Sequence, residues 1–218
     1  MLLELDLTRG LLEHPPATPL AALRARQVPL LHAVIDGLAR ATRDRKVAGL
    51  VAHVGERLSF AQSEELRQAV RSFAATGRPT VAWAESFGEG GPGNVGYHLA
   101  TGFDEIWMQP SGELGLVGVH AQAVFVRDAL TKLGVQAQLG QRAEYKTAAN
   151  TFLESAMTAP HHEMVRRLVD SAMATLVADI TAARHLSPED VRTAVQKGSS
   201  WYESLESAPR ETLSTLML

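Results

Sequence analysis

Lys146 is the side chain whose surroundings in the sequence best suit base chemistry. It lies in the segment RAEYKTAANTF, between a predicted strand and a predicted long helix. The neighbours Ala148, Ala149 and Phe152 could exclude water from its amine, and burial of a lysine disfavours its charged form. A lysine whose pKa falls from about 10.4 towards 7 or 8 can act as the general base for a serine hydroxyl. The alternative for a lysine in isolation is a solvated surface side chain.

A glycine-rich loop follows the third predicted strand. Residues 88–93 read GEGGPG and satisfy the pattern G-x-G-x-x-G, whose glycines let the backbone approach a pyrophosphate. In dinucleotide-binding proteins this pattern follows the first strand, and an acidic residue lies about 20 residues further on. The first condition does not hold here, because the loop follows the third predicted strand. We therefore expect a loop that needs the backbone freedom of glycine, and we expect no cofactor.

The histidines form no local metal-binding motif. His161, His162 and Glu163 are adjacent at the start of a predicted helix, so their side chains point to different faces and a solvated helix start is expected. The sequence contains no H-E-x-x-H motif, and no metal site is predicted. His53 and His98 are expected at the edge of the core with satisfied hydrogen bonds.

Composition excludes several classes of function. The 218 residues include 21 Lys and Arg against 24 Asp and Glu, a formal charge of −3 that argues against a nucleic-acid partner. The absence of cysteine excludes disulfides, cysteine nucleophiles and zinc–thiolate sites. No apolar run reaches about 18 residues, and acids interrupt the leucines of MLLELDLTRG. A cytoplasmic or membrane-peripheral location is therefore expected, without a signal peptide or transmembrane helix.

The elements that must position these residues alternate between short apolar strands and amphipathic helices, which is typical of an α/β fold. The predicted strands are Leu3–Leu7, Leu50–Val54, Thr80–Ala84, Ile106–Met108, Gly115–Val119 and Val135–Leu139. The predicted helices cover about 30–45, 61–75, 97–101, 121–133 and 160–185, and a further helix begins near Ser187.

Several spaced motifs, kept in order, resemble one peptidase family. The segment EYKTAANTFLESAMTAPHHEM resembles the lysine-containing region of the signal peptide peptidase A family, whose members are serine–lysine peptidases of the Clp/crotonase-like superfamily. The segments KVAGLVAHVG and GRPTVAWAESFG are similar to the family's first two βα units, and YHLATGFDEIWMQPSGELGLVGV resembles the region that follows. The resemblance implies a Clp/crotonase-like α/β fold of repeated β-β-α units around a mostly parallel sheet.

The resemblance also implies an organisation of the chain. Residues 45–198 match a crotonase-like peptidase repeat, and residues 1–44 look like the N-terminal strand and helix extension of the long, two-repeat form. Residues 199–218 lack the family's usual continuation and are expected to be a divergent or truncated tail. The family forms rings, so an oligomer of the parent protein is expected.

Individual residues acquire roles from the same resemblance. Lys146 matches the general base, which the N-terminal repeat carries in the long form of the family. The position of the nucleophile is held by Asn94, which has no hydroxyl, so the serine is expected on a second repeat or another chain. Gly55 matches the turn whose backbone N–H contributes to the oxyanion hole. The implied function is a part of a serine endopeptidase that degrades signal-peptide remnants, and the isolated chain is expected to be inactive.

Two classes of function remain open at this stage. The first is a peptidase part that donates Lys146 to a serine elsewhere, and the second is a non-catalytic crotonase-like module for assembly or peptide binding. Ser86, Ser111 and Ser155 offer hydroxyls, but none holds the matching position. An acyl-CoA-binding crotonase relative is a third alternative that rests on fold analogy alone.

Overall fold

The central feature of the chain is a parallel β-sheet. The computed structural model describes residues 1–89 and 91–207. Within these residues the sheet has four strands in the order β1-β2-β3-β4, and all three pairings are parallel. The strands are β1 (Leu2–Asp6), β2 (Gly49–His53), β3 (Thr80–Ala84) and β4 (Glu105–Met108). The predicted α/β class around a parallel sheet is confirmed.

Helices connect consecutive strands, as parallel pairing requires. The helices are α1 (Pro19–Arg24), α2 (Leu31–Ala41), α3 (Phe60–Ala74), α4 (Asn94–Ala100), α5 (Arg127–Lys132), α6 (Asn150–Leu153), α7 (Ala159–Arg184) and α8 (Pro188–Ser207), and a 3₁₀ helix spans Thr147–Ala149. Among the helices that the structure describes, none is both long enough and apolar enough to span a membrane.

Helix α3 shows how the sequence determines a boundary. The Ser59 hydroxyl accepts a hydrogen bond from the backbone N–H of Gln62, and the Gln62 side chain accepts one from the backbone N–H of Ser59. This reciprocal capping box satisfies two N–H groups that a helix start leaves without partners. The inward face of the helix buries Leu66, Val70 and Phe73 against the sheet.

The two faces of the sheet differ in character. Side chains such as Leu50, Ala52 and Ala82 are buried in the core beside the helices. On the opposite face, His53 and Trp83 are directly paired in register, and their rings stack with centroids 3.7 Å apart. Trp107 is the next residue in the same row and is exposed.

Three predicted elements need correction. The predicted strand Gly115–Val119 is wrong because its backbone turns at Gly118, where φ is +79°, and these five residues form no strand ladder with the described chain. The isolated bridge to Phe87 belongs to Leu114, the residue before the segment. The predicted strand Val135–Leu139 is wrong because this half-exposed segment has no strand partner among the described residues. The helix predicted over 121–133 begins only at Arg127, since the preceding backbone N–H, that of Val126, bonds to the carbonyl of Thr151.

The chain divides into two compact units. The first unit combines Met1–Gly118 with the chain from Leu176, and it contains the sheet. The second unit is Val119–Thr175, which includes α5, α6 and the 3₁₀ helix. The domain boundaries predicted at residues 44 and 198 remain predictions. Residues 208–218 of the predicted tail lie outside the described residues.

Candidate functional site

The carboxyl edge of the sheet brings Gly55 and the start of α4 together. Gly55 lies two residues beyond β2, and Asn94 is the first residue of α4, after the loop that leaves β3. A Cβ atom placed on Gly96, in the first turn of α4, would lie 3.4 Å from the carbonyl oxygen of Gly55. Ligand sites of open parallel sheets form at this edge. The structure therefore places two of the three predicted site residues on one edge of the first unit.

Gly55 is required by close packing. A Cβ atom at this position would lie 2.5 Å from Cα of Thr8 and 2.9 Å from the carbonyl oxygen of Leu7. The chain that leaves β2 thus passes so close to the end of β1 that only glycine fits. This contact explains the glycine, while its role in an oxyanion hole stays a prediction.

Asn94 is buried and joins two segments of the first unit. Its Nδ2 donates a hydrogen bond of 2.6 Å to the carbonyl oxygen of Gly118. Its Oδ1 is also buried, and no hydrogen-bond partner for it lies within the described residues. The carboxamide therefore fixes the start of α4, but it offers no hydroxyl for nucleophilic attack.

The glycine-rich loop is held by backbone hydrogen bonds that Gly115 makes at its two ends. The N–H of Gly93 donates to the carbonyl of Gly115 at 2.9 Å, and the N–H of Gly115 donates to the carbonyl of Phe87 at 2.7 Å. Gly88 has a φ of +115°, which favours glycine. These contacts account for the loop's composition through close backbone approach. Gly90, the second glycine of the G-x-G-x-x-G pattern, lies outside the described residues.

Lys146 lies in the second unit, directly before the 3₁₀ helix. Its side chain is exposed, and its Nζ forms neither a hydrogen bond nor an ion pair with the part of the chain that the structure describes. Ala148 and Phe152 are exposed as well, so within this chain they do not cover the amine as the sequence predicted. The role of Lys146 as a general base stays a prediction.

Tyr145, the residue before Lys146, is hydrogen-bonded to the start of α7. The hydroxyl of Tyr145 donates to Oε2 of Glu163 at 3.0 Å, and this hydrogen bond raises the pKa of Tyr145 above its ordinary value.

His162 is exposed, as expected for a solvated helix start. The expectation is wrong for His161, which is buried because its ring packs against Phe125, with ring centroids 6.0 Å apart.

A buried polar cluster between α3, α4 and α7 was missed by sequence reasoning. Nδ1 of His98 lies 2.8 Å from Oγ of Ser63, and Nε2 lies 2.8 Å from Oδ2 of Asp179. Oε2 of Glu64 lies 3.4 Å from the same Nε2. The expectation of a hydrogen-bonded core histidine is thus confirmed for His98, but its partners lie 35 and 81 residues away, beyond any local motif.

Arg67 completes this cluster. Its Nη1 forms an ion pair of 2.9 Å with Oδ1 of Asp179, and its Nε donates to Oγ1 of Thr101 at 2.9 Å. Burial lowers the pKa of Arg67 from its ordinary value, and Asp179 opposes that effect. Burial likewise lowers the pKa of His98, opposed by its hydrogen bond with Asp179.

The order Ser63, His98, Asp179 resembles the hydrogen-bond order of a hydrolytic triad. Ser63 and His98 are each 0% exposed, so a substrate carbonyl has no access to the hydroxyl. We therefore assign the three residues to holding α7 against α3 and α4, not to catalysis of hydrolysis.

The chain matches the model of one known protein family. The model of Peptidase family S49 matches residues 72–206, a range that includes Asn94 and Lys146. The chain belongs to peptidase family S49. The relationship predicted from the spaced motifs is confirmed.

Relatives of this S49 chain include named proteases. It is 24% identical to Protease 4 of Salmonella typhi over 166 residues, which cover 75% of this chain and 26% of that protein. It is 23% identical to the chloroplastic Serine protease SPPA of Arabidopsis thaliana over 174 residues, which cover 79% of this chain and 25% of that protein. The S49 chain therefore spans about a quarter of the length of the curated relatives it matches.

Among solved structures, the chain is similar to an enoyl-CoA hydrotase/isomerase family protein from Silicibacter pomeroyi. The sequence identity is 17%, the TM-score is 0.28, and the likeness covers 83% of this chain and 89% of that chain.

Proposed function

We propose that this S49 chain supplies the general-base lysine of a serine–lysine endopeptidase whose serine lies on a second repeat or another chain. In this mechanism the Nζ of Lys146 accepts the proton of the serine hydroxyl while Oγ attacks the scissile carbonyl. The lysine then gives that proton to the departing amine as the C–N bond breaks. Water hydrolyses the acyl-enzyme, and Lys146 takes and returns a proton in the same way.

The observation that carries the proposal is the family match over residues 72–206, because it includes the Lys146 segment and the Asn94 position together. The solvent exposure of Lys146 adds support, since another repeat or chain has access to the amine. No carboxylate among the described residues pairs with Nζ. A partner surface that covers the amine would remove water from it and so favour the neutral, basic form.

Asn94 supports the second half of the proposal, the external serine. A buried carboxamide occupies the position that matches the nucleophile, and it is already engaged with Gly118. The relatives are about four times as long as the matched segment, which leaves room for a second repeat in proteins of this kind. We propose signal-peptide remnants and other small apolar peptides as substrates, an oligomeric parent protein, and Gly55 as part of the oxyanion turn.

The second candidate function is a non-catalytic crotonase-like module for assembly or peptide binding. The observation that favours it is the same Asn94, because a chain without a hydroxyl at this position cannot form an acyl-enzyme there. The two candidates differ in whether Lys146 is needed for peptide hydrolysis.

The test compares Lys146→Ala with Lys132→Ala, which removes another lysine of the second unit. Each variant is combined with its serine-bearing repeat or subunit, and the cleavage of a fluorogenic apolar peptide is measured. We expect Lys146→Ala to lose at least about a thousandfold in kcat with an unchanged circular dichroism spectrum, and Lys132→Ala to keep its activity. Equal activity of the two variants would contradict the proposed role and favour the binding module.

The 218-residue chain alone tests the external serine. We expect neither peptide cleavage nor fluorophosphonate labelling of this chain. Asn94→Ser introduces a hydroxyl at the matching position, and we expect it to stay unlabelled because Lys146 remains solvated without its partner. Labelling of Asn94→Ser that disappears in the double variant with Lys146→Ala would show that one chain holds both groups, which contradicts the external serine.

A further inference from the structure

The buried cluster in the first unit brings three metal-ligating atoms together from three helices. Oε2 of Glu64 on α3, Nε2 of His98 on α4 and a carboxylate oxygen of Asp179 on α7 all lie within 4.8 Å of one another. In a tetrahedral zinc site the metal–ligand bonds are about 2.0–2.1 Å long. Two ligand atoms, such as an imidazole nitrogen and a carboxylate oxygen, then lie about 3.3 Å from each other. Nε2 of His98 lies 2.8 Å from Oδ2 of Asp179 and 3.4 Å from Oε2 of Glu64, and these two distances lie on either side of that value.

The hydrogen bonds around His98 direct a lone pair towards the two carboxylates. Oγ of Ser63 lies 3.1 Å from the carbonyl oxygen of Val95, which can only accept, so the hydroxyl donates to Val95. The same oxygen can then accept from Nδ1 of His98, 2.8 Å away, in the tautomer that carries its proton there. In a neutral imidazole with its proton on Nδ1, Nε2 carries a lone pair and faces Glu64 and Asp179. In that tautomer three acceptors converge, and a bound cation takes the place of the hydrogen that Nε2 otherwise shares with Oδ2 of Asp179.

One of these acceptors has no other partner. Oε2 of Glu64 is buried, and no hydrogen-bond donor for it lies within the described residues. A buried carboxylate oxygen without a partner costs free energy, which a bound cation would recover. Asp179 differs, because its Oδ1 is taken by Arg67 at 2.9 Å while its Oδ2 faces His98.

We propose that Glu64, His98 and Asp179 form a binding site for a divalent transition-metal ion of the Zn²⁺ type. Ser63 is the positioning residue, since its hydroxyl holds Nδ1 and so directs Nε2 to the ion, as the outer partner of a metal-ligating histidine does. Arg67 neutralises one of the two carboxylates and fixes the orientation of Asp179 through Oδ1.

The ion has an entry path and an open coordination position. The side chains of Glu64 and Asp179 are 32% and 20% exposed, whereas His98 is fully buried. The carboxylates therefore form the outer side of the site and the imidazole its floor, and water can supply the fourth ligand. The site ties α7 to α3 and α4, so we assign it a structural role separate from the proposed peptidase chemistry.

The experiment titrates the chelator-treated full chain with Zn²⁺ by isothermal calorimetry and follows thermal unfolding with and without Zn²⁺. The variant is Glu64→Gln, which keeps the shape of the side chain, and its matched control is Glu65→Gln, the exposed neighbour on the same helix. We expect one Zn²⁺ equivalent to bind the wild type and Glu65→Gln and to raise their Tm. Glu64→Gln should bind that equivalent at least about tenfold more weakly and show little rise in Tm.

Equal Zn²⁺ affinity of Glu64→Gln, Glu65→Gln and the wild type would overturn the proposal, because it would assign binding to surface histidines. If Glu64→Gln does not fold, an NMR measurement on the wild type tests the site instead. The ¹⁵N resonance of Nε2 of His98 in the wild type should shift on addition of one Zn²⁺ equivalent. An Nε2 resonance that stays unchanged while Zn²⁺ binds would overturn the site.

Discussion

Nε2 of His98 lies 2.8 Å from Oδ2 of Asp179, although 81 residues separate the two along the chain. The contact joins α4, which starts at the carboxyl edge of the sheet, to the later turns of α7. Arg67 binds the other oxygen of the same carboxylate, so Asp179 accepts from two helices at once. Within the first unit, the later turns of α7 are therefore held by charge as well as by the buried Leu176 and Ile180.

Arg67→Met should destabilise the first unit. The substitution removes the ion pair with Asp179 and the hydrogen bond to Thr101, and it leaves a carboxylate in the cluster without its cation. We expect the free energy of unfolding in urea to fall by about 3 kcal/mol. The matched control is Arg71→Met on the same helix. Because the side chain of Arg71 is exposed, we expect this variant to change the free energy of unfolding by no more than about 0.5 kcal/mol. Equal losses in the two variants would show that the cluster does not hold the helices together.

The hydrogen bond with His53 should make Glu85 titrate at a lower pH than an ordinary glutamate. Nε2 of His53 lies 2.8 Å from Oε2 of Glu85, and this hydrogen bond lowers the pKa of Glu85 below its ordinary value of 4.5. A lowered folded-state pKa means that the carboxylate contributes stability above the ordinary value and loses it as pH falls through the folded pKa. In His53→Phe, which keeps an aromatic ring beside Trp83, the pKa of Glu85 should return towards 4.5 in a ¹³C NMR titration. An identical titration curve for Glu85 in both proteins would refute this coupling.

Gly55→Ala should destabilise the sheet edge, whereas Gly37→Ala should not. The added methyl group at position 55 meets the backbone of Leu7 and Thr8, which cannot yield as a flexible side chain would. We expect a loss of about 1–3 kcal/mol in the free energy of unfolding. At position 37, in helix α2, no atom lies within 4 Å of the added Cβ, and alanine should stabilise the helix by about 0.5–1 kcal/mol. Opposite signs for the two variants in denaturant titrations are the outcome to look for.

The strands of the sheet were predictable because burial on both sides of a parallel ladder produces short apolar runs. Thr80–Ala84 was predicted with the bounds that the structure has, and Leu50–Val54 differs by one residue at each end. The wrong strand at Gly115–Val119 had the same apolar character, but Leu116 is buried without a ladder. An apolar run predicts burial, but it does not distinguish a buried strand from a buried segment without strand pairing.

The candidate site was predictable only in part. Lys146, Asn94 and Gly55 were found through the order of the family's motifs, since nothing in their local spacing brings them together. Whether Lys146 acts as a base depends on what covers its amine, which is a property of a neighbouring surface. The cluster of His98 and Asp179 was missed because its members come from helices far apart in the chain.

The stacking of His53 on Trp83 gives the molecule an optical property. An indole in contact with an imidazole ring 3.7 Å away responds in its emission to any change that separates the two rings. Trp107, the indole next in the row, is more exposed, at 63% against 38% for Trp83. The stack stands at the end of β2, two residues before Gly55, so Trp83 fluorescence reports on the carboxyl edge of the sheet.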